Sequence, residues 1–231
     1  MRIYSNCKEA ASETKRELAE MGVEVRIDTM QDKKVKDNPD YVTKELVAYS
    51  YAIRDISDKD SLLTAFDKDS DKAWCAAEFE DRIGRKKVNP GEAYKLRQEV
   101  WEEFLHDGKF SYTYAERMGE QVNNAINTFK TNLACRNAII AMWDPRIDTD
   151  RIGGKERVPC TMYYQPLIRN GKVHMLYNIR SNDLFTHWCN DIWLAIRLQE
   201  YIAEALNMPV GTFYQHVGSL HAYMKDTKGI F

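Results

Sequence analysis

The chain has 231 residues, with 33 lysines plus arginines against 35 aspartates plus glutamates and a formal net charge of −2. That balance leaves no footprint of a general nucleic-acid binder, so an anionic ligand would be small. A composition of 44% hydrophobic and 29% charged residues is ordinary for a water-soluble fold with a sizeable core.

In chain order, residues 5–21 predict an amphipathic helix closing at Gly22, whose missing Cβ suits a left-handed cap. "VEVRID" (23–28) alternates as a strand, and "DKKVKDNP" (32–39) is a polar loop. After Asp40, "YVTKELVAYSYAIRD" (41–55) predicts a helix with Tyr41, Leu46 and Tyr49 near one face. Residues 55–72 are rich in Asp, Ser and Lys and are expected to be exposed. Helix formers fill 74–107, broken by the turn "NPGE" at 89–92, and a long helix is predicted over 118–134. "NAIIAMWD" (137–144) predicts an apolar strand, and 144–158 a polar loop containing two adjacent glycines.

"CTMYYQPLIRNGKVHMLYNIRS" predicts a hairpin, since Asn170-Gly171 is among the strongest short-range turn signals. An apolar helix is predicted over 191–207, and "GTFYQHVGSLHAY" closes the pattern as a strand. Helices and strands intermix without an internal repeat or an obvious linker, so residues 1–231 are expected to form a single α+β domain.

The five cysteines, Cys7, Cys75, Cys135, Cys160 and Cys189, are odd in number and show no CxxC spacing. That argues against a disulfide framework or a zinc site and fits a reducing compartment. The N-terminal residues lack the apolar core of a signal peptide, and no apolar run approaches membrane-spanning length. A cytoplasmic protein is therefore expected.

Pro159-Cys160 stands where the polar loop enters the hairpin, and the hairpin returns to Arg180-Ser181. A cysteine at a strand mouth is by default a small apolar filler. A guanidinium facing it would raise the thiolate fraction, and an Arg-Ser pair is also suited to clamping a phosphate.

Together "RVPCTMYYQPLIRNGKVHMLYNIRSNDLF…ND" and "HVGSLHAY" resemble the signature of the thymidylate synthase family, strongly over 136–223 and weakly before it. The resemblance implies a mixed sheet flanked by helices, a homodimer joined sheet to sheet, and 5,10-methylenetetrahydrofolate as one-carbon donor. It makes Cys160 the nucleophile, which adds to pyrimidine C6 so that C5 can attack the one-carbon unit. Arg180 and Ser181 would hold the substrate phosphate, Gln165 would support the nucleotide, and Asp183 would face the pterin. His221 and Tyr223 would bond the ribose hydroxyl. Arg136 would reach the neighbouring subunit's phosphate site, although Asn137 stands where the family has a second arginine. "DYVTKELVAY" resembles the helix bearing the family's catalytic Glu, which makes Glu45 the candidate for proton transfer. Tyr114 would assist removal of the C5 proton. By their residue types alone, Glu45 would be a solvated helix residue and Tyr114 packing.

Counting eight residues from Asp183, where the family places an Asn that reads the base, lands on Asp191, preceded by Asn190. A carboxylate accepts from the cytosine amino group but repels the uracil carbonyl, so Asp191 argues for a cytosine nucleotide. The string is most similar to the branch of phage deoxycytidylate hydroxymethylases, which implies conversion of dCMP to 5-hydroxymethyl-dCMP, in host cytoplasm if phage-encoded. Alternatives are a dCMP or dUMP methylase and a non-catalytic nucleotide-binding relative. Asp191 could instead cap a helix, leaving Asn190 to read uracil. His187, Trp188 and Cys189 are expected to shape or pack the pocket. His174 and His216 have no evident partner, and Lys33 or Lys34 would replace a missing phosphate-binding arginine. The chain ends at "MKDTKGIF", short of the segment with which family members close over folate. That would admit water and favour hydroxymethylation.

Overall fold

A computed structural model of the chain describes residues 1–66, 71–84 and 86–227. Its framework is a mixed sheet whose strands follow the order β1-β5-β9-β8-β7-β6, with β2 also paired to β5. These are β1 (Arg2–Asn6), β2 (Val23–Arg26), β5 (Val42–Asp55), β6 (Ile140–Ala141), β7 (Thr161–Arg169), β8 (Lys172–Asp183) and β9 (Val210–Tyr223). Two short strands, β3 (Thr29–Met30) and β4 (Lys33–Lys34), form a separate hairpin.

The largest departure from the sequence expectation is residues 41–55, which form strand β5 rather than a helix. The run is rich in β-branched and aromatic residues, and it finds partners on both sides: β1 and β2 on one, β9 on the other. Tyr49, Tyr51 and Ile53 thereby enter the core together, and Ala48, with φ 53°, interrupts the alternation. The predicted 159–181 hairpin is present, with Asn170 at φ 51° and Gly171 at φ 68° supplying the turn.

Helices pack on one face of the sheet. α1 (Cys7–Met21) starts where Asn6 accepts the Glu9 N–H at 2.9 Å and the Ser5 N–H reaches the Glu9 carboxylate. Gly22 ends it, but at φ −65° rather than left-handed; a Cβ there would lie 2.5 Å from the Leu18 carbonyl oxygen. α2 (Lys72–Ile83) follows a two-turn 3-10 segment, Lys59–Thr64, that buries Leu62 and Leu63, so the 55–72 stretch is only partly exposed. Residues 67–70 of that stretch lie outside the described residues.

α3 (Gln98–Trp101) is one turn. The expected 118–134 helix is the shorter α5 (Gln121–Thr131), preceded by a separate α4 (Tyr114–Met118) that ends at Gly119 with φ 43°. The expected strand at 137–144 shrinks to β6, and α6 (Pro145–Asp148) opens the loop after it. α7 (Cys189–Ala205) is buried almost all round, with Ile192, Leu194, Ala195, Ile196, Leu198 and Ile202 each at most 2% exposed. No helix among the described residues is long and apolar enough to cross a membrane.

Candidate active site

Strands β8, β9 and β5 run side by side so that Asp183, His221 and Glu45 stand in register across them. Their ends, together with α2, α4, α7 and the loop before β7, enclose a cavity of about 710 Å³. Cys160, Arg180, Ser181, Asp183, Asn190, Asp191, His221, Tyr223, Glu45 and Tyr114 all line it. Gly218 is required where β9 passes β8, because a Cβ there would sit 2.6 Å from the Arg180 carbonyl oxygen.

The Cys160 sulfur lies 3.7 Å from Arg180 Nη2 and 4.0 Å from Gln31 Nε2 at the tip of the β3–β4 hairpin. Arg180 is fixed by Nε donating to the Pro159 carbonyl at 2.9 Å and Nη2 to the Val158 carbonyl at 3.1 Å. Burial raises the Cys160 thiol pKa; Arg180 opposes that and Asp191 adds to it. The pull of the Arg180 cation on the thiolate is therefore present but outweighed by desolvation.

Asp191 faces the cavity and is half-buried, yet burial raises its pKa to about 7, against the pull of Arg82 and with the help of Glu78 and Asp183. It is not a helix cap. Asp183 caps the segment instead, its Oδ1 accepting the Phe185 N–H at 3.1 Å and the Thr186 N–H at 3.3 Å. A π-helical turn, Leu184–Trp188, leads directly into α7 and carries Asp191 past the start of the helix. Asn190 turns its carbonyl toward the Cys75 thiol at 3.3 Å, which engages the amide that would have to read uracil.

The sequence profile of the family described as Thymidylate synthase matches residues 5–230. The chain belongs to the thymidylate synthase family. A protein named "Putative thymidylate synthase" from Methanocaldococcus jannaschii is 34% identical over 52% of this chain and 54% of its own length. Another of that name, from Methanothermobacter marburgensis, is 32% identical over 55% and 58%. The alignments thus span little more than half of these relatives. Among solved structures, the thermostable thymidylate synthase A from Bacillus subtilis superposes with a TM-score of 0.72 at 18% identity, covering 98% of this chain and 83% of that one. The fold is therefore the thymidylate synthase fold.

Gln165, expected to support the nucleotide, and Arg136, expected to reach a neighbouring subunit's site, lie outside the cavity lining. Gln165 donates its Nε2 to the Arg136 carbonyl at 2.7 Å, and Arg136 itself is exposed. Glu45 lines the cavity but stands on β5, so the helix expected to carry it does not exist. A helix-borne carboxylate does face the cavity: Glu78 on α2, paired with Arg82 at 2.8 Å. Arg82 is 4% exposed, lies 4.2 Å over the Tyr114 ring and reaches the Tyr164 hydroxyl at 3.4 Å. Sequence reasoning missed this pair, although its signal was legible: Trp74, Cys75, Glu78, Phe79 and Arg82 share one helical stripe.

Tyr114 accepts the Thr161 N–H at 3.3 Å, next to Cys160, and burial holds its hydroxyl pKa well above the ordinary value. His187 lines the cavity and stacks on Trp101 at 5.8 Å, whereas Trp188 is fully buried in the core against Tyr51 and Phe66, outside the cavity lining. His174 and His216 have partners after all, the Thr212 N–H and the Ser50 hydroxyl. Lys33 pairs with Glu103 rather than facing Cys160, and Lys34 is exposed.

Proposed function

We propose that the chain transfers a one-carbon unit to C5 of a cytosine nucleotide, converting dCMP to 5-hydroxymethyl-dCMP. The observation that carries this is Asp191, a carboxyl group in the wall of the same cavity as the Cys160 sulfur. In the reaction the Cys160 thiolate would add to C6, the pair of electrons freed toward C5 would attack the one-carbon electrophile, and the C5 proton would leave to a base as the carrier amine departs; water would then add to the exocyclic methylene and give up a proton while the C6–sulfur bond breaks. Arg180 and Ser181 would hold the phosphate, and His221 with Tyr223 the sugar hydroxyl. Glu78 takes over from Glu45 as candidate for proton transfer, because it adjoins both Arg82 and Asp191.

With the proton it keeps up to about pH 7, Asp191 can donate to cytosine N3 while its other oxygen accepts from the N4 amine. Once ionised it still accepts from that amine but offers nothing to the O4 of uracil. 5,10-Methylenetetrahydrofolate would supply the one-carbon unit as an electrophile. Asp183 and the aromatic side chains of Tyr94, Trp101 and Phe104 on the cavity wall suit its polar head and flat rings. Arg136 would complete the phosphate site of a second copy of the chain, in a homodimer.

One observation favours a second reading, a thymidylate synthase-type methylase of dUMP. A protonated Asp191 imitates an Asn amide, donating to O4 and accepting from N3–H, and the relatives are named thymidylate synthases. Tritium release from 5-labelled dCMP and dUMP in the presence of methylenetetrahydrofolate separates the two. Release from dCMP in preference to dUMP, strengthened as pH rises from 6 to 8 and weakened in Asp191→Asn, is expected. Release from dUMP alone would overturn the cytosine assignment, and product mass distinguishes hydroxymethyl from methyl.

A further inference from the structure

Arg157, three residues before the nucleophile, is 7% exposed and lines the cavity. Its guanidinium lies 4.7 Å from the Phe104 ring, 5.0 Å from Trp101, 5.6 Å from Phe110 and 5.7 Å from Tyr112. Among the described residues no carboxylate lies within ion-pair distance of it, and its Nε–H is buried with no acceptor. The neighbouring acid, Glu156, turns to Arg151 at 3.1 Å.

Burying a cation without an anion or hydrogen-bond acceptor is costly, and aromatic faces recover only part of that cost. The rings surround the guanidinium but supply no oxyanion, and its Nε–H belongs to the hydrogen-bonding edge that binds oxyanions in a forked geometry. Buried charges of this kind are kept when something binds them. The arrangement is also held from outside, since Trp101 is stacked on His187, and Lys33 lies over Phe104 while paired with Glu103.

We infer that the Arg157 cage is an oxyanion-binding subsite of the cavity, which takes a phosphate or carboxylate group of a bound substrate. This rests on the cavity being a ligand site, as proposed above, and adds a contact that neither the Arg180-Ser181 clamp nor Asp183 provides. Two sources carry the shared chemistry: the nucleotide's 5′-phosphate, and the acidic tail of the one-carbon donor. Arg157 shares the cavity wall with Cys160 and His187 and acts electrostatically on each, so either ligand bound in that cavity comes within its range.

The test compares thermal stability and ligand affinity of the full chain with those of Arg157→Met, which matches the side chain's apolar bulk and removes its charge. Without ligand the variant is expected to melt at or above the wild-type temperature, and inorganic phosphate to stabilise the wild type only. Paired ligands then assign the source. A loss of at least about tenfold for dCMP with deoxycytidine unchanged assigns the phosphate; the same loss for tetrahydrofolate with tetrahydropteroate unchanged assigns the donor's carboxylates. A variant that melts well below the wild type yet binds phosphate and all four ligands as well as it does would overturn the subsite. Should the variant not fold, the Arg157 Nε–H resonance of the wild type serves instead: it must shift on adding phosphate, and a stationary resonance refutes the proposal. A phosphate response without any dCMP binding would sink the nucleotide reading and leave the subsite standing.

Discussion

Replacing Asp191 by Asn should change how stability depends on pH in a way no other residue would reproduce. An aspartate in the unfolded chain titrates near pH 3.9, whereas burial lifts Asp191 to about 7 in the fold. Between those values the folded chain holds a proton that the unfolded chain has lost. Stability then falls as pH rises through that window, by about 1.4 kcal/mol per pH unit. The gap of about three pH units amounts to at most about 4 kcal/mol, less to the extent that water in the cavity solvates the carboxylate. For a chain of this size that corresponds to roughly 10 °C in melting temperature. Asparagine has no such proton. The assay is urea unfolding of wild type and Asp191→Asn from pH 4 to pH 9, taking the difference in unfolding free energy at each pH. The wild type should lose ground to the variant steadily up to about pH 7, after which the difference should stay flat. Parallel curves throughout would mean that Asp191 is ionised like a surface carboxylate, and the neutral-acid contact to cytosine N3 would be lost with it.

Other substitutions probe separate parts of the site. Cys160→Ser should abolish tritium release while leaving dCMP affinity within about tenfold, because the phosphate and sugar contacts persist; a Ser variant that turns over would contradict covalent catalysis. Glu78→Gln should cut kcat by about a hundredfold or more, and Glu45→Gln far less. The opposite order, measured by the same release assay, would return the proton-transfer role to the strand. Gly218→Ala forces a methyl group into the Arg180 carbonyl and should cost about 1–3 kcal/mol in urea unfolding, with weaker dCMP binding. An unchanged unfolding midpoint would show that β8 and β9 have room to part.

The C-terminal half of the site was legible because its signals are local. Asn170-Gly171 sets the hairpin register, and a one-residue register shift between Thr161 and Tyr163 then brings Arg180 opposite Cys160. Residues 41–55 misled because Lys44, Glu45 and Leu46 favour a helix, whereas the decisive partner, β9, lies about 170 residues further on. The same error hid Glu78: once Glu45 was placed on a helix, α2 had no reason to supply a carboxylate. Arg157 read as one more charge in a polar loop, since the rings that enclose it come from residues 101–112, some fifty positions earlier. Asp191 and Asn190 are adjacent and both line the cavity, and only the helical turn from Asp183 onward determines which of them has its oxygen engaged by the Cys75 thiol.

Intact mass of the protein after incubation with 5-fluoro-dCMP, 5-fluoro-dUMP and methylenetetrahydrofolate probes the chemistry at its core. Fluorine cannot leave C5 as a cation, so a sulfur that has added to C6 stays attached. A stable adduct with 5-fluoro-dCMP, mapped to Cys160 and formed much faster than with 5-fluoro-dUMP, is the predicted result. Absence of any adduct, or one formed with 5-fluoro-dUMP alone, would contradict it.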